Sequence, residues 1–438
     1  MKIKAVFSDF SHRFAEKEIH VDSKESVNTF IDEKNPQQTI KGFGGAITAS
    51  SAAVYESLSE ENKQKVIDLL YGEDGLRYNL GRLTIGSCDF SPVLYDYSSK
   101  DDLSDFDLTY DKQHILPFLR DAFSTKQLCL LASCWSPLAK WKTNNDKCHG
   151  GKLKSDCYEK HADYIAHYCQ EMKKQGYPIS ALTIQNEPEA TQTWESCRFN
   201  EKEEGRMVLL LHEKLPSTHI YVWDHNRDVM FRRIQNLFKN PEVEQATYGV
   251  AYHWYDGNKN KEIARCREKY PSKEYLFTEG CIEILNLPKG YLNNDKAIWA
   301  SALRYARNYI LDLTYGSNGF LDWNVLLDEK GGPNHVGNYC EAPLMRNGDA
   351  IKINPSYYAI KHLSAFLDPG CSIVPVRAAK GILCVTAINP DGSLSFVAFN
   401  EKSKEKSLCF SWKEQNYSFD IQKDEIVSLR IQNRNGFR

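Results

Sequence analysis

The chain has 438 residues, 42% of them hydrophobic, and a formal net charge of −3. That composition supplies a large core, and the length leaves room for one large barrel plus an accessory domain. The balanced charge argues against a nucleic-acid partner, which calls for a basic stripe, and no apolar run approaches the ~18 residues of a membrane span. The first residues, MKIKAVFSDFSHRFAEKEIH, hold no stretch long enough for a signal peptide. The 13 cysteines are scattered and form no CxxC. Free thiols in a cytoplasmic protein are therefore expected.

Residues 60–71 place Val66, Ile67, Leu69 and Leu70 at helical spacing behind the capping hydroxyls of Ser57 and Ser59. Strand and helix then alternate. Strand 78–85 is followed by helix 112–123, strand 127–133, helix 156–175, strand 181–186 and helix 201–214. Strand 219–224, helix 228–238, strand 247–252, helix 261–269, strand 274–278, helix 296–314 and strand 318–323 complete the series. About eight β-α repeats predict an α/β protein built on a (β/α)8 TIM barrel over residues 40–365. The two ends differ. Residues 1–39 hold strand-like stretches, and residues 366–438 read as short alternating runs divided by turns such as Pro390-Asp391-Gly392. Together they are expected to form an all-β side domain, a sandwich made by both chain termini.

Barrel enzymes carry their active sites at the C-terminal ends of the strands. Arg82, Trp135, Asn186, Glu187, His253, Trp254, Tyr255, Glu279, Trp323 and Asn324 all fall within or just after predicted strands. In the run ALTIQNEPEA, residues 181–190, apolar residues lead into Asn186-Glu187-Pro188. Proline cannot join a ladder and predicts an extended conformation for Glu187 before it. The run Tyr275–Gly280 again ends in a glutamate, Glu279, and a turn residue.

Two carboxylates flanking a sugar acetal can hydrolyse it, one protonating the leaving oxygen and the other attacking the anomeric carbon or activating water. Their neighbours should differ. Asn186 offers an amide to a substrate hydroxyl, whereas Arg82, His253 and Tyr255 would keep Glu279 ionised. Glu187 is thus the expected acid/base and Glu279 the expected nucleophile. Taken singly, each residue has a plainer reading: exposed loop carboxylates, Arg82 paired with Asp89, His253 as a core histidine, the tryptophans as packing. The Gly42–Gly45 run lacks the Lys-Ser/Thr of a phosphate loop, and neither a GxSxG elbow nor a clustered His/Asp set occurs. No cofactor and no metal are expected.

The ordered motifs resemble those of glycoside hydrolase family 30, in its acid β-glucosidase (glucosylceramidase) branch. They run from Gly42-Phe43-Gly44-Gly45-Ala46-Ile47-Thr48 through Ser87-Cys88-Asp89-Phe90-Ser91, Trp135-Ser136-Pro137 and Asn186-Glu187-Pro188. His253-Trp254-Tyr255, Glu279-Gly280-Cys281 and Asp322-Trp323-Asn324 continue the set. The resemblance implies retaining hydrolysis of a β-glycoside by Glu187 and Glu279 without cofactor. It further implies a sugar site lined by Arg82, Trp135, Asn186, His253, Tyr255, Trp323 and Asn338. It also implies an aspartate after the GGAxT motif to hold distal hydroxyls, where this chain has Ala49. An exo-acting β-glucosidase on small soluble substrates is the expected activity. A β-xylosidase or another exo-β-glycosidase of the same family is the alternative that Ala49 raises, and a non-catalytic carbohydrate-binding protein the alternative of another class.

Overall fold

The structure, a computed structural model, describes residues 2–402 and 404–432. Eight parallel strands close into a barrel. In chain order they are β1 (Gly42–Ala46), β2 (Leu80–Ile85), β3 (Cys129–Cys134), β4 (Ile179–Thr183), β5 (His219–Asn226), β6 (Gly249–His253), β7 (Glu274–Glu279) and β8 (Gly319–Asp322). Each pairs with its sequence neighbour, and β8 closes on β1 from Gly319 opposite Gly42 to Asp322 opposite Gly45.

The helices between them follow the sequence expectation closely, for local reasons. Ser59 caps Glu60–Tyr71. Asn200 and Glu203 form a reciprocal capping box on Glu201–Lys214. Two features went unread. The expected helix 228–238 is a 3-10 turn followed by Met230–Leu237, and a further helix, Pro241–Ala246, comes after it. The first barrel strand is the glycine run itself, with helix Ala49–Glu56 behind it. Glycine has low strand propensity, which hides β1 from a pattern search. The barrel needs it there because a Cβ on Gly44 would run into the Leu80 carbonyl, and one on Gly45 would come within 2.5 Å of the Val325 methyl.

Inside the barrel, one residue from each of seven strands forms an apolar floor: Leu80, Leu131, Ala181, Tyr221, Ala251, Leu276 and Leu321. Side chains on a strand alternate faces. Two residues further along, the same strands therefore present Arg82, Ser133, Thr183, His253 and Thr278, all buried. On β5 the step is three. The register with β6 shifts there, so that Ala251 faces Trp223 and Tyr252 faces His225. Trp223 and Asp224 both take positive φ, 78° and 49°. This bulge turns Asp224 inward.

Both termini contribute to the flanking sheets. Strand Lys2–Ser8 pairs antiparallel with Ile426–Gln432 along its whole length, inside a six-stranded sheet. A three-stranded sheet joins Lys406–Trp412 and Gln415–Ile421 to His20–Val21. A second core that includes Phe396, Phe410, Tyr417 and Phe419 draws on both sheets.

Candidate active site

Asp224 organises the polar layer above the barrel floor. Its Oδ2 accepts from Arg82 Nη2 at 2.9 Å and Thr183 Oγ1 at 2.6 Å, and its Oδ1 from Thr278 Oγ1 at 2.6 Å. His253 Nε2 meets the same Oδ1 at 2.9 Å. Arg82 spreads its remaining donors to Ser133 Oγ at 3.2 Å, Asn186 Oδ1 at 3.0 Å and Glu279 Oε2 at 2.7 Å. The plainer reading of Arg82, a pair with Asp89, does not hold; Asp224 and Glu279 take that place.

Above this layer lies a cavity of about 280 Å³. Glu187 and Glu279 line it together with Trp135, Asn186, Tyr255, Trp323 and Asn338. Arg82 and His253 lie beneath, wholly buried, and hold the carboxylates rather than face the cavity. His253 Nδ1 stands 3.2 Å from Glu187 Oε1 and 3.9 Å from Glu279 Oε1. Tyr255 Oη donates to Glu279 Oε1 at 3.2 Å. Trp135 and Trp323 stack at 5.3 Å, and the Arg82 guanidinium sits 4.9 and 5.4 Å from their rings. Several hollows are larger; the two largest of these, of about 580 and 670 Å³, lie beside Lys41 and Arg267 and between helices at Gly205 and Val243. Neither holds a carboxylate pair around a shared imidazole, so the chemistry and not the volume singles out the small cavity.

Three sequence expectations change here. Strand β4 ends at Thr183, and Glu187 has φ of 48°, so the glutamate before Pro188 is not extended. Its N–H bonds the Asp224 carbonyl at 3.0 Å, which holds the backbone in this strained region. Ala49 is buried at the start of its helix and lies outside the cavity lining. The cavity's additional carboxyls are Glu283 and Asp89, and Asp89 accepts from Asn338 Nδ2 at 3.0 Å. Asp224, His225, Trp194 and Cys281 were also missed. Asp224 carried a legible signal, since it ends the apolar run HIYVWD as Glu279 ends YLFTE.

Charge in the layer is tightly linked. Burial raises the Asp224 carboxyl, but the Arg82 charge and the His253 bond outweigh it and hold Asp224 below the carboxylate range. Burial opposes charge on His253, yet Glu279, Asp224 and Glu187 lift its imidazole to about 9. Burial raises Glu279 more than His253 and Arg82 lower it, and Glu187 adds to the rise. Burial also raises Glu187, but His225 and His253 outweigh it. For Asp89, burial followed by the nearby Glu279 and Glu195 pushes the carboxyl well up. Glu187, His225 and His253 bring three donor atoms within 4.8 Å of one another. That set could in outline hold a cation, but an imidazole that keeps its proton to about 9 is a poor ligand.

Comparison with known proteins places these features. The family model for the glycosyl hydrolase family 30 TIM-barrel domain matches residues 40–367. The chain is 32% identical over 393 residues to putative glucosylceramidase 3 of Caenorhabditis elegans, covering 83% of this chain and 73% of that one. Among solved structures it is similar to SrfJ from Salmonella typhimurium, with a TM-score of 0.93 and 29% identity over 99% of this chain and 100% of that one. The endo-β1,6-glucanase BT3312 follows with a TM-score of 0.88 and 25% identity, covering 98% and 99%.

Proposed function

The chain belongs to glycoside hydrolase family 30, and from that premise we propose that it is a retaining exo-β-glucosidase acting on small soluble β-glucosides. One observation carries the reading: two glutamates, Glu279 buried and Glu187 partly so, face one cavity around a shared imidazole. Glu187 Oε1 and Glu279 Oε1 lie 3.2 and 3.9 Å from the same nitrogen, so those oxygens are at most about 7 Å apart. Retaining pairs stand ~5–5.5 Å apart and inverting pairs ~6.5–9.5 Å, so this closeness supports the retaining reading.

The buried charges assign the roles. Arg82 keeps its charge at every working pH and touches Glu279 at 2.7 Å. Asp224 has Arg82 and the imidazolium of His253. With those two cations balanced by Asp224 and Glu279, the proton shared by the glutamates belongs to Glu187, which meets no permanent cation. Burial works against charge on Glu279, but Arg82 cannot give up its proton and so keeps a carboxylate beside it.

Glu187 then protonates the glycosidic oxygen as Glu279 attacks the anomeric carbon and forms a covalent glycosyl-enzyme. Glu187, now ionised, takes a proton from water, which releases the sugar. Trp135 and Trp323 wall the ring, and Asn186 and Asp89 face its hydroxyls. A cavity of about 280 Å³ sits just below the usual span of ~300–1,000 Å³ for small-ligand sites, which fits one terminal sugar better than an internal chain segment.

The likeness to an endo-β1,6-glucanase favours a second reading, internal cleavage of a β1,6-linked glucan. Aryl β-glucoside, xyloside, galactoside and fucoside assayed beside a β1,6-glucan distinguish the two. The aryl glucoside is expected to be the best substrate, with the β-anomer as first product by NMR. Shortened oligosaccharides from the glucan and an inert aryl glucoside would replace the first reading with the second. A best rate on the xyloside would move the glycone to xylose.

A further inference from the structure

All thirteen cysteines are free, and two of them meet inside the cavity wall. Cys281 and Cys340 both line the cavity, both are buried, and their sulfurs share a hydrogen bond at 2.9 Å. They come from segments that pair as a short antiparallel ladder, Ile282 with Glu341 and Glu283 with Cys340. Cys281 stands two residues after Glu279. Its sulfur lies 3.4 Å from Tyr255 Oη, the hydroxyl that donates to Glu279 at 3.2 Å.

A disulfide needs the sulfurs at about 2.05 Å, so closing the pair asks for less than about 1 Å of approach. The strand pairing already holds the backbone segments together. The cavity they line gives a small oxidant access that their burial in the protein would otherwise deny. We propose that Cys281 and Cys340 are a redox pair that a hydroperoxide converts to a disulfide, and that turnover falls while the bond is closed. The second half rests on the reading of Glu279 as nucleophile; the first rests on the sulfur geometry alone.

With hydrogen peroxide the step balances as follows. The Cys281 thiol loses its proton and its sulfur attacks one peroxide oxygen. The O–O bond breaks, and the departing hydroxide takes up the proton as water, leaving a sulfenic acid on Cys281. The Cys340 sulfur, losing its own proton, attacks the Cys281 sulfur. The S–O bond breaks and hydroxide leaves as a second water. Two thiols are oxidised by two electrons and the peroxide is reduced by two. Cys281 attacks first because, although burial raises its thiol, its contacts with Cys340 and Tyr255 ease it back. Burial and Cys281 itself both push Cys340 up. Closure takes away the thiol that Tyr255 meets and draws the end of β7 towards the Cys340 segment, shifting the hydroxyl that steadies Glu279.

The full-length protein is treated with graded hydrogen peroxide, digested without reduction and mapped by mass spectrometry. Release of nitrophenol from an aryl β-glucoside is followed in parallel. A peptide joining Cys281 to Cys340 is expected, together with a kcat about tenfold lower or less still, on the scale that misplacements of up to 1 Å produce. Dithiothreitol should restore both. Cys340→Ser and Cys340→Ala, each compared with its own untreated sample, should keep their rates under the same peroxide. Absence of the linked peptide overturns the redox pair. A linked peptide with unchanged kcat, or equal losses in the variants, overturns the link to turnover. A reduced protein inert on every β-glycoside would sink the proposed function, while the linked peptide would still establish the pair.

Discussion

Leu80 and Arg82 stand two residues apart on β2 and point to the same side of the strand. Leu80 joins an apolar floor of seven side chains, and Arg82 joins a polar layer of hydrogen-bonded and charged groups. The floor is held by packing that has no direction, so hydrophobic volume is what its positions require. The polar layer is held by bonds of fixed geometry, five of which converge on Asp224 alone. One barrel therefore keeps its stability and its chemistry on adjacent rungs of the same strands.

Substitutions on the two rungs should fail in different ways. The largest effect belongs to Glu279→Ala, which should lower nitrophenol release by at least ~10⁴-fold, the scale of nucleophile deletions. Arg82 keeps Asp224 as a partner, but losing its buried pair with Glu279 should also lower stability, by up to the ~3–5 kcal/mol of such truncations; retained turnover would remove Glu279 from the mechanism. Glu187→Gln should cost ~10²–10⁴-fold on substrates with poor leaving groups and much less on activated aryl glycosides, as loss of a general acid does. Equal losses on both substrate types would argue against an acid role.

Asp224→Asn keeps the shape and removes the charge that Arg82 and His253 share. Truncating a buried pair costs about 3–5 kcal/mol, readable in urea melts, and turnover should fall with it. This variant also tests the pH dependence. The His253 imidazole is lifted from 6.5 to about 9 in the folded protein. Its stabilising contribution is therefore complete below pH 6.5 and is lost as pH rises through 9. Unfolding followed from pH 6 to 10 should show that alkaline loss in the parent and a weaker one in Asp224→Asn. The smallest effect on chemistry is expected from Leu276→Ala in the floor. It should lower stability by about 2–5 kcal/mol and leave the kcat of the folded enzyme unchanged. A large fall in kcat at temperatures where the variant is folded would dissolve the division between the layers.

Most barrel strands after the first were legible because buried parallel strands write themselves as unbroken apolar runs, as in QLCLLAS and HIYVWD. The first was not, because GFGGA gives up side chains so that neighbouring strands can come close. Glu187 and Glu279 stood out as carboxylates closing such runs. Asp224 closed one too, yet a pattern of alternating faces points it away from its true direction, since the bulge at Trp223 that turns it inward leaves no mark in residue type. Ala49 shows the opposite failure. A motif located a missing carboxylate by position, whereas the folded chain brings Asp89 to the cavity from a different loop.

The pairing of Lys2–Ser8 with Ile426–Gln432 sets a timetable for the cell. A ribosome adding ~5–20 residues each second emits the first strand on the order of tens of seconds before its partner exists. During that interval the barrel strands can assemble, but Lys2–Ser8 waits with an open edge on the side where Ile426–Gln432 will dock. Anything that shields a bare strand in a nascent chain would thus matter most at Lys2–Ser8, although the reaction takes place far along the polypeptide.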